Sequence, residues 1–331
     1  MSSKTQQIQS IPTIPDRKGD AHKGDFGRML VVGGARGMIG APALAANAAL
    51  RGGAGLVTVA VPETVQLAVA SLCPCATSIR LKCSRSGDLA PQAVAQMLTA
   101  ADASDVLAVG PGMGVSGGAG NIVRAAIEQD KPVVLDADGL NNLARIDGWA
   151  GLRRCPLVLT PHPGEMARLT DKSVEQIQSD REGSAVAAAE QWSVSSEDAS
   201  EGGTGCLQPV LLRKQKEHGL QASRATLQLE NNRALAVVLK GAGTVVTDGL
   251  RVFINKTGNP GMATGGTGDV LTGLIAALIG QGMDILEASC LGVHVHGLAG
   301  DLAAEKLGQT SLIASDLPDF LPEAIQKTAL T

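Results

Sequence analysis

Short, uninterrupted apolar runs alternate along this chain with longer alanine-rich segments, and this rhythm restricts the fold more than any other feature. The runs predict strands at MLVVGG (29–34), LVTVAV (56–61), VLAVG (106–110), VVLDAD (133–138), LVLT (157–160) and AVVLKG (236–241). Because each run is continuous, both faces of its strand should be covered, as in a parallel sheet. Helices are predicted at about 41–51, 118–129, 139–145, 163–169 and 173–192. The pattern predicts the α/β class, as a three-layer α/β/α sandwich with a mostly parallel central sheet.

The rhythm changes after Lys240. Residues 244–249 and 251–256 predict two short strands joined at Asp248-Gly249, a dipeptide typical of hairpin turns. A Gly-rich loop then leads into an apolar helix, and an Ala-rich helix is predicted from Asp284 to about Lys306. We predict one domain over residues 26–331, preceded by a polar, extended arm at 1–25. Residues 193–233 are polar and rich in Gly and Ser, which predicts a flexible insertion within the domain.

Composition excludes several classes of function. Apolar residues make up 44% of the 331, so the chain is not intrinsically disordered, and the net charge of −4 without a Lys/Arg run argues against nucleic acid as a partner. No apolar stretch reaches the length of a membrane span or a secretory signal, which predicts a cytoplasmic protein. Six Cys without a CxxC pair predict reduced thiols. Aromatic residues are only 2%, so ligands should be bound by backbone groups and Gly-lined surfaces rather than by stacking.

The segment 259–269 carries the strongest chemical signal. Its glycines at 265, 266 and 268 allow backbone N–H groups to approach an anion at the start of a helix, whose positive end points the same way. Asp269 is the first acid of that helix and could take a proton from a hydroxyl during phosphoryl transfer. Alternatively, Thr267 or Gly268 only caps the helix and Asp269 only favours its dipole. The concentration of glycine favours phosphoryl transfer, although no Walker A Lys-Ser/Thr pair follows.

The string NPGMATGGTGDVLTG resembles the signature of the ADP- or ATP-dependent NAD(P)H-hydrate dehydratases, a branch of the ribokinase-like superfamily. Other segments resemble the same family in the same order: KGDFGRMLVVGG (23–34), GPGMG (110–114), LDADGLN (135–141), LTPHPGEMARL (159–169), VLKGAGTVV (238–246) and the stretch 294–325. The similarity runs from about Lys23 to Ile325, apart from residues 193–233. Several independent motifs in one order make the resemblance specific.

The resemblance implies a role for each matching residue. The nucleotide would be bound by Lys240, Gly241, Ala242, Gly243, Thr244, Gly265, Gly266, Thr267 and Gly268. The hydrated nicotinamide would lie against Ala41, Gly112, Gly114, His162 and Asp269, with Asp269 as the catalytic base. Without the resemblance, Lys240 would be interpreted as a solvated strand-end residue, and His162, between two prolines, would be as plausibly structural as functional.

The metal ligands stay unassigned at this stage. Asp136 and Asp138 could help to bind magnesium, although acids are common at strand ends. Glu165 is either an ordinary first-turn acid of a helix, which we favour, or a ligand of a metal-bound water. His294 and His296 are two residues apart on a helix, so they should face different sides and do not predict a metal pair.

The resemblance implies nucleotide-dependent dehydration of the S-form of hydrated NADH or NADPH, by phosphorylation of the C6 hydroxyl and elimination of phosphate, with Mg²⁺ as cofactor. ADP is the expected co-substrate, ahead of ATP. The resemblance also implies a homo-oligomer, such as a tetramer, that works with a separate NAD(P)H-hydrate epimerase. Two alternatives stay open: a small-molecule kinase for thiazole or pyrimidine alcohols, and a nucleotide-sensing protein that binds a partner through the insertion.

Overall fold

A computed structural model describes residues 5–193 and 234–330 of the chain. Ten strands form one sheet. They are β1 (Gln6–Gln7), β2 (Arg28–Val32), β3 (Leu56–Pro62), β4 (Thr77–Leu81), β5 (Val106–Val109), β6 (Val133–Leu135), β7 (Leu157–Leu159), β8 (Leu235–Leu239), β9 (Val245–Thr247) and β10 (Arg251–Ile254).

Strand order in the sheet is β1-β10-β9-β8-β7-β6-β5-β2-β3-β4. The seven neighbours from β8 to β4 are all parallel, whereas β9 runs antiparallel to both β8 and β10. Phe253 pairs with Val246 across the predicted hairpin, and Gly249 in its turn has a φ of +94°. The mostly parallel sheet and its C-terminal-half hairpin are therefore confirmed.

Helices cover both faces of the sheet. They are α1 (Gly40–Arg51), α2 (Gln66–Leu72), α3 (Gln92–Asp102), α4 (Gly117–Ile127), α5 (Asp138–Leu143), α6 (Trp149–Leu152), α7 (Pro163–Thr170), α8 (Val174–Ser179), α9 (Arg181–Trp192), α10 (Thr267–Gly280), α11 (Ile285–Leu307) and α12 (Leu317–Ala329). Two short 3-10 helices lie at Lys23–Phe26 and Pro260–Met262.

Two apolar cores lie on opposite faces of the sheet, because successive side chains of a strand point to opposite sides. Val31 of β2 belongs to the core under α1, α10 and α11, whereas its neighbours Leu30 and Val32 belong to the core under α3–α9. Both kinds of position are fully buried, which explains why the strands are apolar at every residue. The three-layer sandwich is confirmed.

Small residues let the helices of the first core approach closely. A Cβ on Gly273 of α10 would lie 1.9 Å from the carbonyl oxygen of Ala45 in α1. With few aromatic rings available, backbone-to-backbone contact fills the core instead of large side chains.

Several elements differ from the predicted ones. Strand β4, with the sequence TSIRL, was not predicted, since it lies at the sheet edge and alternates polar with apolar residues. The single helix predicted at 173–192 is wrong: the structure has α8 and α9, separated at Asp180, whose carboxylate accepts the Gly183 N–H and starts a new helix. Apart from Ser193, the predicted insertion lies outside the described residues.

The N-terminal arm packs onto the domain. Gln6 and Gln7 pair in parallel with β10, and Ile8, Ile11 and Ile14 pack against the first core. The five cysteines of the described chain are free thiols. Over residues 5–193 and 234–330, no helix combines the length and apolar character needed to cross a membrane.

Candidate active site

The loops that follow the parallel strands stack on one another at the carboxyl edge of the sheet. Sheet-like hydrogen bonds continue beyond the strands: the Gly110 N–H donates to Val32 O (2.9 Å), the Thr160 N–H to Leu135 O (3.1 Å), and the Lys240 N–H to Pro161 O (2.8 Å). This edge is where open α/β sheets bind ligands. The loops are therefore held in place by their own backbone.

The Gly-rich loop ends where α10 begins. Gly266, with a φ of +98°, is the N-cap residue and provides no side chain, while the Thr267 hydroxyl turns back to donate to Thr264 O at 3.1 Å. The capping alternative for Thr267 and Gly268 is thus wrong, since the N-cap is Gly266 and no side chain of residues 5–193 or 234–330 caps this helix. Its first N–H groups are left for an anion, as the phosphoryl-transfer hypothesis requires.

Asp269 lies in the first turn of α10 and is half-buried. Burial raises the pKa of Asp269 to about 7, with a further increase from the nearby Asp136 carboxylate and a partial decrease from the Lys240 ammonium. A carboxyl group with this pKa changes charge near neutral pH, and so can take up a proton there and release it again.

A buried ion pair lies directly beneath the helix start. The Lys240 ammonium donates to Oδ1 of Asp136, and the Thr272 hydroxyl donates to Oδ2 of Asp136 at 2.7 Å. A Cβ on Gly268 would lie 3.2 Å from Lys240 Nζ. Burial by itself would raise the pKa of Asp136, but Lys240 and the hydrogen bonds from Thr272 and Thr160 outweigh it and lower the pKa.

This pairing corrects the interpretation of Lys240 as a solvated strand-end residue. Only 19% of its side chain is exposed, and its pKa is raised because Asp136 and Glu165 outweigh the opposing effect of burial. Lys240 therefore stays charged and presents its ammonium group at the Gly-rich loop.

Glu165 and His162 form a second polar group at the end of β7. Glu165 is a first-turn acid of α7, as favoured above, and forms a capping box with His162. It is also buried: 5% of its side chain is exposed, and burial raises its pKa to about 7. Its carboxylate accepts the His162 N–H at 2.8 Å and lies 3.9 Å from Lys240 Nζ. The buried position follows from the close approach of α7 to Lys240, which the sequence did not indicate.

The geometry at His162 fixes its tautomer. Nδ1 accepts the Gly164 N–H at 3.0 Å and the Glu165 N–H at 3.4 Å, so in the neutral ring the proton is on Nε2. Burial and the neighbouring Lys240 lower the pKa of His162, which favours this neutral form. The side chain is about half exposed, at 51%, and its Nε2 lies 3.3 Å from Glu165 Oε1.

A cavity of about 470 Å³ opens beside the Gly-rich loop. One wall is the segment 240–244 after β8, another is the segment 255–263, and the floor comes from α10 and α11. Asp301 supports the second wall, with its carboxylate accepting the Gly258 N–H at 2.8 Å and the Asn259 amide at 3.0 Å. The predicted nucleotide residues from Lys240 to Thr244 thus share a cavity with Thr267 and Gly268.

Helix α1 connects the predicted substrate residues to the Gly-rich loop. A Cβ on Gly112 would lie 3.0 Å from Ala41 Cβ and 2.7 Å from Met38 O. One turn further along α1, Leu44 Cδ1 would lie 2.7 Å from a Cβ on Gly266. Gly112 itself is buried, whereas Gly114 is half-buried, so Gly114 is the more open of the two.

Three residues of the site were not predicted. Thr272 is three residues after Asp269 on α10, so helical spacing could have placed both at one end of the helix. Thr160 follows β7 directly. Arg181 donates to the carbonyl oxygens of Leu239 (3.0 Å) and Lys240 (3.2 Å), and no sequence signal connects it to them.

The buried His296 ring contacts the backbone at the start of α10. His296 is buried with Nε2 2.9 Å from Thr267 O, and burial lowers its pKa to about 4. In the described part of the chain, no group of three or more His, Cys, Asp or Glu side chains is arranged to hold a metal ion.

Known protein families and solved structures show what this chain is similar to. The NAD(P)H-hydrate dehydratase family model (Carb_kinase) matches residues 29–195 and 210–323. The bifunctional NAD(P)H-hydrate repair enzyme of Moorella thermoacetica is 41% identical over 95% of this chain, which spans only 52% of that relative. The ADP-dependent (S)-NAD(P)H-hydrate dehydratase of Neisseria meningitidis is 34% identical over 95% of this chain and 92% of its own length.

Among solved structures, the ADP/ATP-dependent NAD(P)H-hydrate dehydratase of Bacillus subtilis, co-crystallised with ATP/Mg²⁺, superposes with a TM-score of 0.72. It is 28% identical, and the match covers 96% of this chain and 95% of the other. The chain thus spans about half the length of the bifunctional relatives and nearly all of the single-function ones. With its ribokinase-like fold, it belongs to the NAD(P)H-hydrate dehydratase family.

Proposed function

We propose that this chain uses a nucleoside phosphate to dehydrate the S-form of hydrated NADH or NADPH back to NADH or NADPH, a carbon-oxygen lyase reaction. The observation that carries the proposal is the position of Asp269, a carboxyl group that titrates near pH 7 in the first turn of a helix whose N–H groups lack a side-chain cap. Anion binding and proton transfer thereby meet at one place.

The nucleotide occupies the cavity beside the Gly-rich loop. Lys240, Gly241, Ala242, Gly243 and Thr244 line it, and the N–H groups of Gly265, Gly266, Thr267 and Gly268 receive the terminal phosphates. Lys240 adds a positive charge beneath Gly268. We propose ADP as the preferred co-substrate over ATP, in line with the name of the Neisseria relative.

Magnesium fits this site as a companion of the nucleotide. Mg²⁺ is usually held by substrate phosphates and water with one or two carboxylates, so it does not require a cage of protein ligands. Both oxygens of Asp136 already accept hydrogen bonds, so Asp269 is the carboxylate that we propose a phosphate-bound ion would meet. When bound, Mg²⁺ neutralises phosphate charge.

The hydrated nicotinamide lies on the other side of Asp269, against Ala41, Gly112, Gly114 and His162. His162 offers its Nε2–H, which the ligand would share with Glu165 Oε1 at 3.3 Å, since Nδ1 already accepts the N–H groups of Gly164 and Glu165. The ring is thereby placed between α1 and α7, with its C6 hydroxyl towards Asp269 and the terminal phosphate.

The chemistry uses the nucleotide to improve a leaving group. Asp269 takes the proton of the C6 hydroxyl as the oxygen attacks the terminal phosphorus, and the bond from that phosphorus to the nucleotide's bridging oxygen breaks. The helix N–H groups and Lys240 stabilise the charge on the transferring phosphoryl group. Phosphate then leaves C6 with its bonding electrons, assisted by the ring nitrogen, and transfer of a C5 proton to water restores the C5–C6 double bond.

Assembly and cellular context complete the proposal. We propose a homo-oligomer, such as a tetramer, in the cytoplasm, working with a separate NAD(P)H-hydrate epimerase. Support for the functional link comes from relatives named as bifunctional repair enzymes, which are about twice as long as the part this chain matches. We also propose that residues 26–331 form one domain.

A direct assay tests the function. Purified protein is incubated with S-form hydrated NADH, Mg²⁺, and ADP or ATP in turn, while absorbance near 340 nm and free phosphate are followed. Dehydration predicts that both rise in equal amounts, faster with ADP. A stable phosphorylated product without recovery of absorbance would instead identify a small-molecule kinase, and binding without turnover would identify a nucleotide sensor.

Asp269→Asn tests the site within the same assay. We expect turnover to fall at least about 100-fold, because the amide cannot accept the proton, while the nucleotide Kd changes less than about threefold. Glu287→Gln is the matched control, since Glu287 is an exposed acid in the first turn of α11. Equal turnover of Asp269→Asn and Glu287→Gln would rule out Asp269 as the base.

A further inference from the structure

The turn between β6 and α5 has an unusual backbone. The Gly139 N–H donates to Asp136 O at 2.8 Å, so residues 136–139 form a β-turn. Ala137, its second residue, has φ 49° and ψ −122°. These angles match the first central position of a type II′ turn, which normally requires glycine. An alanine there is strained, so the surrounding contacts must hold it.

Two carboxylates leave this turn in different directions. Asp136 points to Lys240 and to Thr272 on α10, the helix that carries Asp269. Asp138 points to the loop after β5, where its Oδ2 accepts the Gly114 N–H at 2.8 Å. Asp136 and Asp138, two residues of the same β-turn, thereby contact the proposed phosphate side and the proposed nicotinamide side of the site.

In the loop after β5, both the N–H and the carbonyl oxygen of Gly114 are hydrogen-bonded to side chains. Besides the bond from its N–H to Asp138, Gly114 accepts the Asn142 side-chain amide on its carbonyl oxygen at 2.9 Å. Asn142 also donates to Asp138 O at 2.7 Å, and Asn141 donates to Asp138 Oδ1 at 3.2 Å. Asp138 and Asn142 of α5 therefore hold Gly114 from two sides, and we call this arrangement the clamp.

The turn and the loop have no spare room between them. A Cβ on Gly110 would lie 2.0 Å from Asp136 O, and a Cβ on Gly139 would lie 2.6 Å from Val109 O. The two backbones are thus in direct contact behind the clamp. A displacement of the turn would therefore move Gly114 as well as Asp136.

We infer that Asp138 is a positioning residue that fixes the Gly110–Gly114 loop for the hydrated nicotinamide, and that the strained turn at Ala137 joins this loop to the Asp136–Lys240 pair. The nicotinamide part of this inference rests on the proposed function. Both oxygens of Asp138 accept hydrogen bonds from the protein, which distinguishes this role from that of a magnesium ligand.

Amide hydrogen exchange tests the clamp without reference to activity. In Asp138→Ala, we expect peptides covering residues 110–116 to exchange at least about tenfold faster, with those covering 258–268 unchanged. Asp138→Asn keeps an oxygen that can accept the Gly114 N–H, so its exchange should lie nearer to the unmodified protein. The control is Asp147→Ala, which removes an exposed acid after α5. Unchanged exchange at 110–116 in Asp138→Ala would overturn the inference.

Kinetics then test what the clamp is for. Asp138→Ala should raise KM for hydrated NADH about tenfold or more, leave the nucleotide Kd within about twofold, and leave the Mg²⁺ concentration for half-maximal activity unchanged. Asp138→Asn should recover most of the loss in KM. A parallel shift of the Mg²⁺ requirement in both variants would overturn the positioning role in favour of a metal ligand.

The two readouts separate two failures. If the unmodified protein does not act on hydrated NADH but Asp138→Ala still exchanges faster at 110–116, the proposed function is wrong and the clamp stands. If turnover is confirmed and neither exchange nor KM responds to Asp138→Ala, the proposed function stands and the positioning role is wrong.

Discussion

Three acids and one lysine determine the charge of the site at the scale of single residues. Lys240 pairs with the buried Asp136, so that carboxylate stays ionised. Glu165 lies farther from Lys240 Nζ, at 3.9 Å, and burial raises the pKa of both Glu165 and Asp269 to about 7. The Lys240 ammonium thus keeps Asp136 ionised, whereas Asp269 and Glu165 titrate near neutral pH.

The pH dependence of catalysis follows from the pKa of Asp269. Only the ionised form can accept the hydroxyl proton, so kcat/KM should rise with pH through about 7 and level off above it. Glu165→Gln, measured in parallel, removes the other acid that titrates there. Persistence of the rise in Glu165→Gln assigns it to Asp269, whereas a flat profile between about pH 5.5 and 8.5 would contradict that assignment.

Glu165 should also make stability depend on pH. Its folded pKa of about 7 exceeds the ordinary value of 4.5, so the folded protein loses stability as pH rises through this interval. Glu165→Gln removes that loss. Relative to the unmodified protein, the variant should gain about 1–3 kcal/mol in free energy of unfolding between pH 5 and pH 8. Denaturant titrations at the two pH values measure the gain, and an equal difference at both would contradict the prediction.

Ala137→Gly should stabilise the protein, against the usual sign of an Ala→Gly change. Relief of strain at φ 49° is worth on the order of 1–3 kcal/mol, and the greater freedom of glycine in the unfolded chain offsets about 0.5–1 kcal/mol. Thermal unfolding should therefore show a higher Tm. Ala144→Gly, at the other end of α5 where φ is −59°, is the control and should lower Tm. A lower Tm in both variants would mean that Ala137 is not strained.

At the scale of elements, the crossing of α1 and α10 aligns the two halves of the site. Helix α1 carries Ala41 and α10 carries Asp269, and their backbones touch where Gly273 faces Ala45. The distance between the substrate side and the phosphate side therefore depends on one glycine. Packing of this kind transmits small displacements, since protein interiors are close-packed.

Gly273→Ala should separate these helices. The added Cβ would meet Ala45 O at 1.9 Å, and overpacking of this kind costs about 1–3 kcal/mol. We also expect a higher KM for hydrated NADH, because Ala41 moves away from Asp269. Gly117→Ala is the matched control, since Gly117 lies in α4 with open space around its Cβ position. Comparable stability of the two variants would contradict the close crossing.

At the scale of the whole molecule, one sheet serves both helical layers. Strand residues alternate between the two cores, so neither layer can lose its packing without exposing the other face of the same strands. This arrangement supports the proposal of one domain. Disruption of either core should therefore unfold the entire sheet.

Unfolding should be a single transition. Trp149 and Trp192, the chain's only tryptophans, are in contact in the second core, with ring centroids 5.3 Å apart, so their fluorescence reports on that layer alone. Far-UV circular dichroism reports on both layers, and the two denaturation curves should coincide. Phe320→Trp in a background of Trp149→Phe and Trp192→Phe places the reporter on α12, at the first core. Different midpoints for the two reporters would contradict one cooperative domain.

Local pattern was enough to predict the architecture of this protein. Continuous apolar runs identified the central parallel strands, because residues buried on both faces must all be apolar. Turn chemistry identified the hairpin at Asp248-Gly249, and glycine spacing identified the loop before Asp269. Strand β4 was not predicted, because an edge strand with one exposed face does not form a continuous apolar run. The break between α8 and α9 at Asp180 was not predicted, because the helical pattern continues on both sides of it.

Residue types and order along the chain were thus available from the sequence, and the family resemblance with them. The tertiary structure alone decided which charges meet: Asp136 with Lys240, which is 104 residues away, Glu165 in a buried position, and Asp138 on Gly114. The physical reason is range. Propensity and periodicity act over one or two turns, whereas burial, pKa and ion pairing depend on segments that only folding brings together.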